Sequence, residues 1–182
     1  MIITISGTPG SGKSTAGKYL AQKLNWAHYS TGGYMRQMAL DRGISLQELG
    51  DIAKTDKSID QELDDWQRKI GKEKDHFVID GRLSFHFIPN SIKIFFDADP
   101  IVRAQRILAD NRKEESASSL NQMVADMKRR ERVEQERYEK YYSINPYDKS
   151  KYDLVIDTTN LTPEEVVSKV VKFVKDRARS DN

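Results

Sequence analysis

The string Gly7-Thr8-Pro9-Gly10-Ser11-Gly12-Lys13-Ser14 constrains this chain more than any other feature. It matches the P-loop pattern Gly-x-x-x-x-Gly-Lys-Ser/Thr in full. It also lies where the pattern has physical meaning, after the β-branched run Ile2-Ile3-Thr4-Ile5-Ser6 and at the start of a segment of helical period, about Lys13 to Leu24. Successive backbone N–H groups and the first turn of a helix form an anion nest, and glycine lets a phosphate approach the backbone closely. Lys13 is then placed to reach the β and γ phosphates of a nucleoside triphosphate, and Ser14 to ligate Mg²⁺. The bland alternative is a glycine-rich turn without a ligand, and the flanking strand and helix argue against it.

A P-loop names a nucleotide but not a chemistry. A GTPase would carry Asn-Lys-x-Asp and Asp-x-x-Gly, and neither string occurs. The rest of the chain alternates short apolar runs with helical segments, the order that a parallel α/β sheet requires. Further strands are expected at Trp26 to Tyr29, Phe77 to Asp80, Ile92 to Phe96 and Tyr152 to Asp157. The runs at Phe77 and Ile92 are apolar enough to be central and covered on both faces. From Gly33 to Lys74 the chain reads as several helical pieces, with capping boxes at Ser45 and Glu48 and at Ser58 and Gln61. Asp99-Pro100 starts another helix, the polar stretch Asn111 to Ser119 leads to a long charged helix from about Leu120 to Tyr142 with a box at Ser119 and Gln122, and Thr162-Pro163-Glu164-Glu165 opens the last. The long helix reads as too polar to be core. The expected fold is an α/β three-layer sandwich with a five-stranded parallel sheet, in one domain over 1–182. Its core is 1–32, 76–110 and 150–179, with a helical insertion over about 33–75 and a helical lid over about 111–145.

Composition narrows the remaining classes. A chain of 182 residues suits one compact domain. Absence of cysteine removes disulfides, thiolate nucleophiles and thiolate zinc sites. A net charge of +2 offers no general attraction to nucleic acid, so anion affinity must come from local arginines. No apolar stretch approaches the roughly 20 residues needed to cross a bilayer. The expectation is a cytoplasmic monomer with small-molecule partners, no nucleic acid and no membrane.

Four more segments point to anion chemistry. In Ser30-Thr31-Gly32-Gly33-Tyr34-Met35-Arg36 a hydroxyl caps a helix and Arg36 lies near its positive end, where a second phosphate fits; an ordinary cap with a surface arginine is the alternative. Asp80-Gly81-Arg82 ends a strand on the rim where α/β sheets bind ligands, so Asp80 suits Mg²⁺ through water and Arg82 a bidentate phosphate; a plain turn is the alternative. Arg130, Glu134 and Arg137 share one face of the long helix, and Arg103 and Arg106 one face of the preceding helix. A solvated salt-bridge ladder is the default for such a helix. Beside a P-loop, the same arginines suit a transferring phosphoryl group, whose spread charge needs cations and exclusion of water. His28, His76 and His86 are scattered and read as structural or surface residues.

Together the P-loop, Ser30-Thr31-Gly32 with Arg36, Asp80-Gly81-Arg82, and Arg130-Glu131-x-x-Glu134-x-x-Arg137 resemble, in order, the blocks of cytidylate kinases within the nucleoside monophosphate kinase family, most closely the short archaeal type. The last block resembles the family's Arg-Asp-x-x-Asp-x-x-Arg lid, with Glu in place of Asp. The resemblance implies ATP with Mg²⁺ as donor and CMP or dCMP as acceptor. Gly7 to Thr15 would hold ATP, with Arg103 and Arg106 near the donor and Thr158-Thr159-Asn160 near its adenine. Ser30, Thr31, Gly32, Arg36, Gly81, Arg82 and Glu134 would seat the acceptor. Arg130 and Arg137 would close over both, making Lys13, Arg82, Arg130 and Arg137 the catalytic set, with Ser14 and Asp80 at the metal.

Leu83 stands where bacterial members carry an acidic residue that helps hold the acceptor nucleoside, and the larger bacterial base-reading insertion has no counterpart. Base identity then falls to the short helical insertion, where Asp60, Asp64 and Gln67 share a face; a solvated helix face is the alternative for these three. The rival readings are a kinase of this fold with another acceptor (AMP, UMP or a small hydroxylated metabolite) and a non-catalytic nucleotide sensor, which would have no use for Arg82, Arg130 and Arg137 together.

Overall fold

The computed structural model describes residues 1–53, 55–110 and 119–180. The chain runs β1 (Ile2–Gly7), α1 (Lys13–Leu24), β2 (Ala27–Ser30), α2 (Thr31–Asp41), α3 (Leu46–Ile52), α4 (Ser58–Glu73), β3 (Phe77–Asp80), α5 (Ser84–Phe87), β4 (Ile92–Asp97), α6 (Pro100–Ala109), α7 (Leu120–Tyr142), β5 (Leu154–Asp157) and α8 (Pro163–Ser180), with a 3-10 turn at Lys149–Lys151 before β5. The strands form one five-stranded parallel sheet, as expected, in the order β2-β3-β1-β4-β5. The chain crosses from β1 through α1 to β2 at one edge and from β3 through α5 to β4 on the other side of β1, so the connections change direction at the centre of the sheet, the place where open α/β sheets bind ligands.

Period two sorts the core into the two faces of the sheet. Val78, Ile94 and Phe96 pack with Leu20 of α1 and Val166 and Val170 of α8. Their neighbours turn the other way: Phe77 and Ile79 meet Ile70 and Ile88, and Phe95 meets Phe85 and Tyr152. Each such fully buried side chain is worth about 1.5 to 3 kcal/mol of transfer free energy. β1 delivers the P-loop through Gly7, whose φ of 148° and contact with β4 exclude a side chain, since a Cβ would stand 2.1 Å from the Phe96 carbonyl oxygen.

Helix starts follow the local acceptors. Ser45 and Glu48 form a reciprocal capping box, and Thr162 and Glu165 do the same for α8. The Asp99 carboxylate caps α6, accepting from Ile101 N at 2.8 Å. Two expected boxes differ. α4 has no box at Ser58: the Asp56 carboxylate, instead of the Gln61 side chain, accepts from the Ser58 amide at 2.8 Å, and the Gln61 amide bonds to the Lys57 carbonyl at 3.0 Å, which makes Lys57 the cap residue. At α7 only the serine half forms, since the Gln122 side chain donates to Asp126 instead.

α7 is also less solvated than its composition suggests, with Met123 and Met127 buried against Ala104 and Ile107 of α6. The short helix α5 was not anticipated; it buries Ser84, Phe85 and Phe87 immediately after Arg82. The polar stretch leading into α7 lies, from 111 to 118, outside the described residues, and with it the start of the expected lid. Among the described residues no helix is long and apolar enough to cross a membrane.

Candidate active site

A cleft of about 800 Å³ opens over the carboxyl ends of β1 and β3, between α4, α7 and the P-loop. Of the residues expected to bind nucleotide or metal, all but Gly7, Thr8, Arg103, Thr159 and Asn160 line it. The volume lies in the range of small-molecule sites.

At the P-loop end, the Lys13 ammonium donates to the Thr8 carbonyl at 2.7 Å. Burial and the nearby Arg82 charge hold its pKa well below the ordinary lysine value, against the pull of Asp80 and Glu134. Asp80 gathers three partners: Ser14 Oγ donates to Oδ2 at 2.8 Å, Ser30 Oγ donates to Oδ2 at 3.1 Å, and His28 Nε2 lies 2.9 Å from Oδ1. Burial disfavours the carboxylate's charge, but the hydrogen bonds from His28 and Ser14 outweigh it and hold the pKa below the ordinary aspartate value. A hydroxyl beside a buried, ionised carboxylate fits Mg²⁺, a hard cation that rests on one or two protein oxygens plus waters and substrate phosphates. Among the described residues no group of three or more His, Cys, Asp or Glu is arranged to hold a metal ion.

Arg82 leaves β3 through Gly81, where a Cβ would fall 2.4 Å from Ser84 Oγ and 2.5 Å from the Thr31 methyl. Its guanidinium donates to the Gly7 carbonyl at 2.6 Å and to Glu134 Oε2 at 2.7 Å, tying the P-loop to α7. Glu134 also accepts from Arg130 Nε at 3.0 Å and from the Tyr147 hydroxyl at 2.6 Å. Burial raises its pKa, yet the charges of Arg82 and Arg130 win and bring it down to about 2. Arg137, one turn further along α7, pairs with Asp60 of α4. The interleaved ladder exists as well, but on the exposed side of α7, where Arg132 meets Glu136 at 3.7 Å.

On α4, Asp64 and Gln67 are 7% and 2% exposed, which removes the solvated-face alternative for these two. Tyr142 donates to Asp64 Oδ2 at 2.7 Å, and Ser84 Oγ donates to Gln67 Oε1 at 2.8 Å. Ser30 caps α2, accepting from Gly33 N at 3.3 Å, and Arg36 reaches the cleft from that helix.

The two arginines of α6 diverge. Arg106 lines the cleft and donates to the Thr158 carbonyl at 2.7 Å, while Thr158 Oγ1 donates to the Ser11 carbonyl at 3.0 Å. Arg103 is buried behind the loop, paired with Glu131 and 3.5 Å from the Pro9 carbonyl, so it braces the P-loop instead of lining the cleft.

Sequence reasoning set His28 aside, and the structure places it against Asp80, though not on the cleft lining. The available signal was strand period: His28 and Ser30 are two apart on β2, so both face Asp80 across the pair with β3. Tyr142, Tyr147 and Ser84 were also passed over, and they bear no motif.

With this geometry established, three comparisons place the chain. A family model described as the cytidylate kinase-like family matches residues 2–160. A cytidylate kinase from Methanocella arvoryzae is 36% identical over 174 residues, covering 96% of this chain and 97% of that protein. One from Methanothrix thermoacetophila is 39% identical over 158 residues, covering 87% and 88%. Among solved structures, shikimate kinase from Bacteroides thetaiotaomicron superposes with a TM-score of 0.69 at 14% identity, over 96% of this chain and 98% of that one, a likeness of fold alone.

Proposed function

Since the chain belongs to the cytidylate kinase-like family, we propose that it transfers the terminal phosphoryl group of ATP to the phosphate of CMP or dCMP, giving ADP and CDP or dCDP. The observation that carries this reading is one cleft in which Arg82, Arg130, Glu134 and Arg137 stand over a P-loop while the buried polar pair Asp64 and Gln67 lies at the α4 wall.

The P-loop amides and Lys13 cradle the phosphates of ATP, and Arg106 with Thr158 borders the donor side. The acceptor's phosphate binds Arg36 and Arg82, taking over from Glu134 the guanidinium that Glu134 now neutralises. Arg130 and Arg137 supply positive charge around the transferring group. Mg²⁺ held by Ser14 and, through water, by Asp80 would neutralise phosphate charge as the transfer proceeds. A monophosphate is already an anionic nucleophile at neutral pH, so positioning and electrostatics suffice and no general base is needed. A hydroxyl acceptor would need one, and Asp80 suits that role poorly: its pKa is depressed and three side chains already bond to it.

The same reading makes α2 to α4 the acceptor-binding insertion and α7 the lid of a single domain, acting as a cytoplasmic monomer. The test is ADP formation from ATP and Mg²⁺ with CMP, dCMP, UMP, AMP and GMP offered separately, beside a Lys13→Ala control. Turnover that needs Lys13 and favours CMP or dCMP supports the reading. ATP binding with no turnover on any monophosphate contradicts it.

A further inference from the structure

Asp64 and Gln67 are three residues apart on α4, hence on one face, and both line the cleft. What each can offer a ligand is decided by a neighbour from another element. Tyr142, the last residue of α7, donates its hydroxyl to Asp64 Oδ2 at 2.7 Å. Among the described residues Oδ1 has no hydrogen-bond partner, so it remains an acceptor. Ser84, the first residue of α5, donates its buried hydroxyl to Gln67 Oε1 at 2.8 Å. A hydroxyl can donate or accept, so the orientation of the amide rests on Leu63 as well, whose carbonyl only accepts; Oε1 therefore faces Ser84 and the NH₂ group the other side. One of its N–H bonds goes to the Leu63 carbonyl at 3.3 Å, and the other is left for a ligand. The α4 wall therefore offers one acceptor and one donor side by side, with the order fixed by Tyr142, Ser84 and the Leu63 carbonyl.

A pyrimidine distinguishes itself on the same edge. Cytosine donates from its N4 amino group and accepts at N3, whereas uracil accepts at O4 and donates from N3. The acceptor of Asp64 and the donor of Gln67 match cytosine and oppose uracil at both positions. Two opposed pairs leave buried polar groups unmatched, the situation in which discrimination is strongest. Resting on the CMP or dCMP reading above, we propose that Asp64 and Gln67 read N4 and N3 of cytosine, and that Tyr142 and Ser84 are positioning residues that set this donor and acceptor order against uracil. Ser84 holds its place because Gly81 leaves room for it, so the turn that presents Arg82 to the phosphate also presents Ser84 to the base reader.

The experiment measures kcat/KM for CMP and UMP on the full chain with saturating ATP and Mg²⁺, for the unaltered protein and for Ser84→Ala, Tyr142→Phe and the double variant Asp64→Asn with Gln67→Glu. ATP affinity, measured on each, reports a folded P-loop end. The unaltered protein is expected to favour CMP by roughly 100-fold or more. Ser84→Ala and Tyr142→Phe each lower that ratio by about 10-fold, with the loss carried by KM for CMP. The double variant reverses donor and acceptor and turns the preference to UMP, because the same tyrosine and serine then orient an amide at 64 and a carboxylate at 67. A merely structural role lowers both substrates together and leaves the ratio unmoved; that result overturns the inference while the CMP reading stands. If the unaltered protein phosphorylates no monophosphate, both fall. Should the buried Ser84→Ala change unfold the chain, Tyr142→Phe and the double variant decide alone.

Discussion

The two ends of the cleft are built in different ways. The P-loop end is one continuous stretch, strand, loop and helix, and its binding groups are mostly backbone. The acceptor end is assembled from α4, the β3–α5 turn, α7 and the loop bearing Tyr147, and its groups are side chains held by side chains 13 to 78 residues away in the chain. Its cations are also already paired, Arg82 with Glu134 and Arg137 with Asp60, while Lys13 rests on a backbone carbonyl. Phosphate affinity can therefore be written in a short string, whereas acceptor recognition needs several elements in register.

That contrast makes the largest prediction. Arg82→Ala should lower kcat by about 10²-fold or more, the scale of losing a charged partner of the transition state, while the Kd for ATP changes less than about three-fold. Steady-state kinetics beside ATP titration measures both, and an equal loss of ATP affinity would erase the division between the two ends.

A smaller effect concerns stability. The Glu134 pKa is depressed from 4.5 to about 2, so its stabilisation is fully present above 4.5 and fades as pH falls through about 2. That shift corresponds to an order of 3 kcal/mol. Urea unfolding of Glu134→Gln against the unaltered protein should give a gap that is widest above pH 5 and narrows steadily toward pH 2. A gap independent of pH would mean that the Arg82 pair contributes nothing through charge.

The least effect is expected at the donor rim. Arg106→Ala removes bonds to Thr158 beside Ser11 and should raise KM for ATP by about 3- to 10-fold with little change in KM for CMP. A rise confined to CMP would move Arg106 to the other end.

The same division governs how far the sequence could be read. The strand segments, the P-loop, the Asp80-Gly81-Arg82 rim and the caps at Ser45, Asp99 and Thr162 depend on neighbours within a few residues, and strings record them. The face of α7 was half legible: spacing put Arg130, Glu134 and Arg137 together, but not that Glu134 would lie between Arg82 and Tyr147. Burial of Met123 and Met127 was hidden by the charges around them. His28, Ser84 and Tyr142 act through one hydrogen bond each to a residue on another element, and a single distant bond leaves no local pattern. Lys57 caps α4 in place of Ser58, because the Asp56 carboxylate takes the Ser58 amide, and a nearby charge leaves no matching string.

The central claim is that the two ends meet on a phosphate acceptor. The most direct measurement is to incubate the protein with ATP labelled in the γ-phosphate, Mg²⁺ and CMP, and to locate the label in the products. The account predicts CDP carrying the label in its β-phosphate, absent with Lys13→Ala; label recovered only as inorganic phosphate, or remaining on ATP with CMP unchanged, would contradict it.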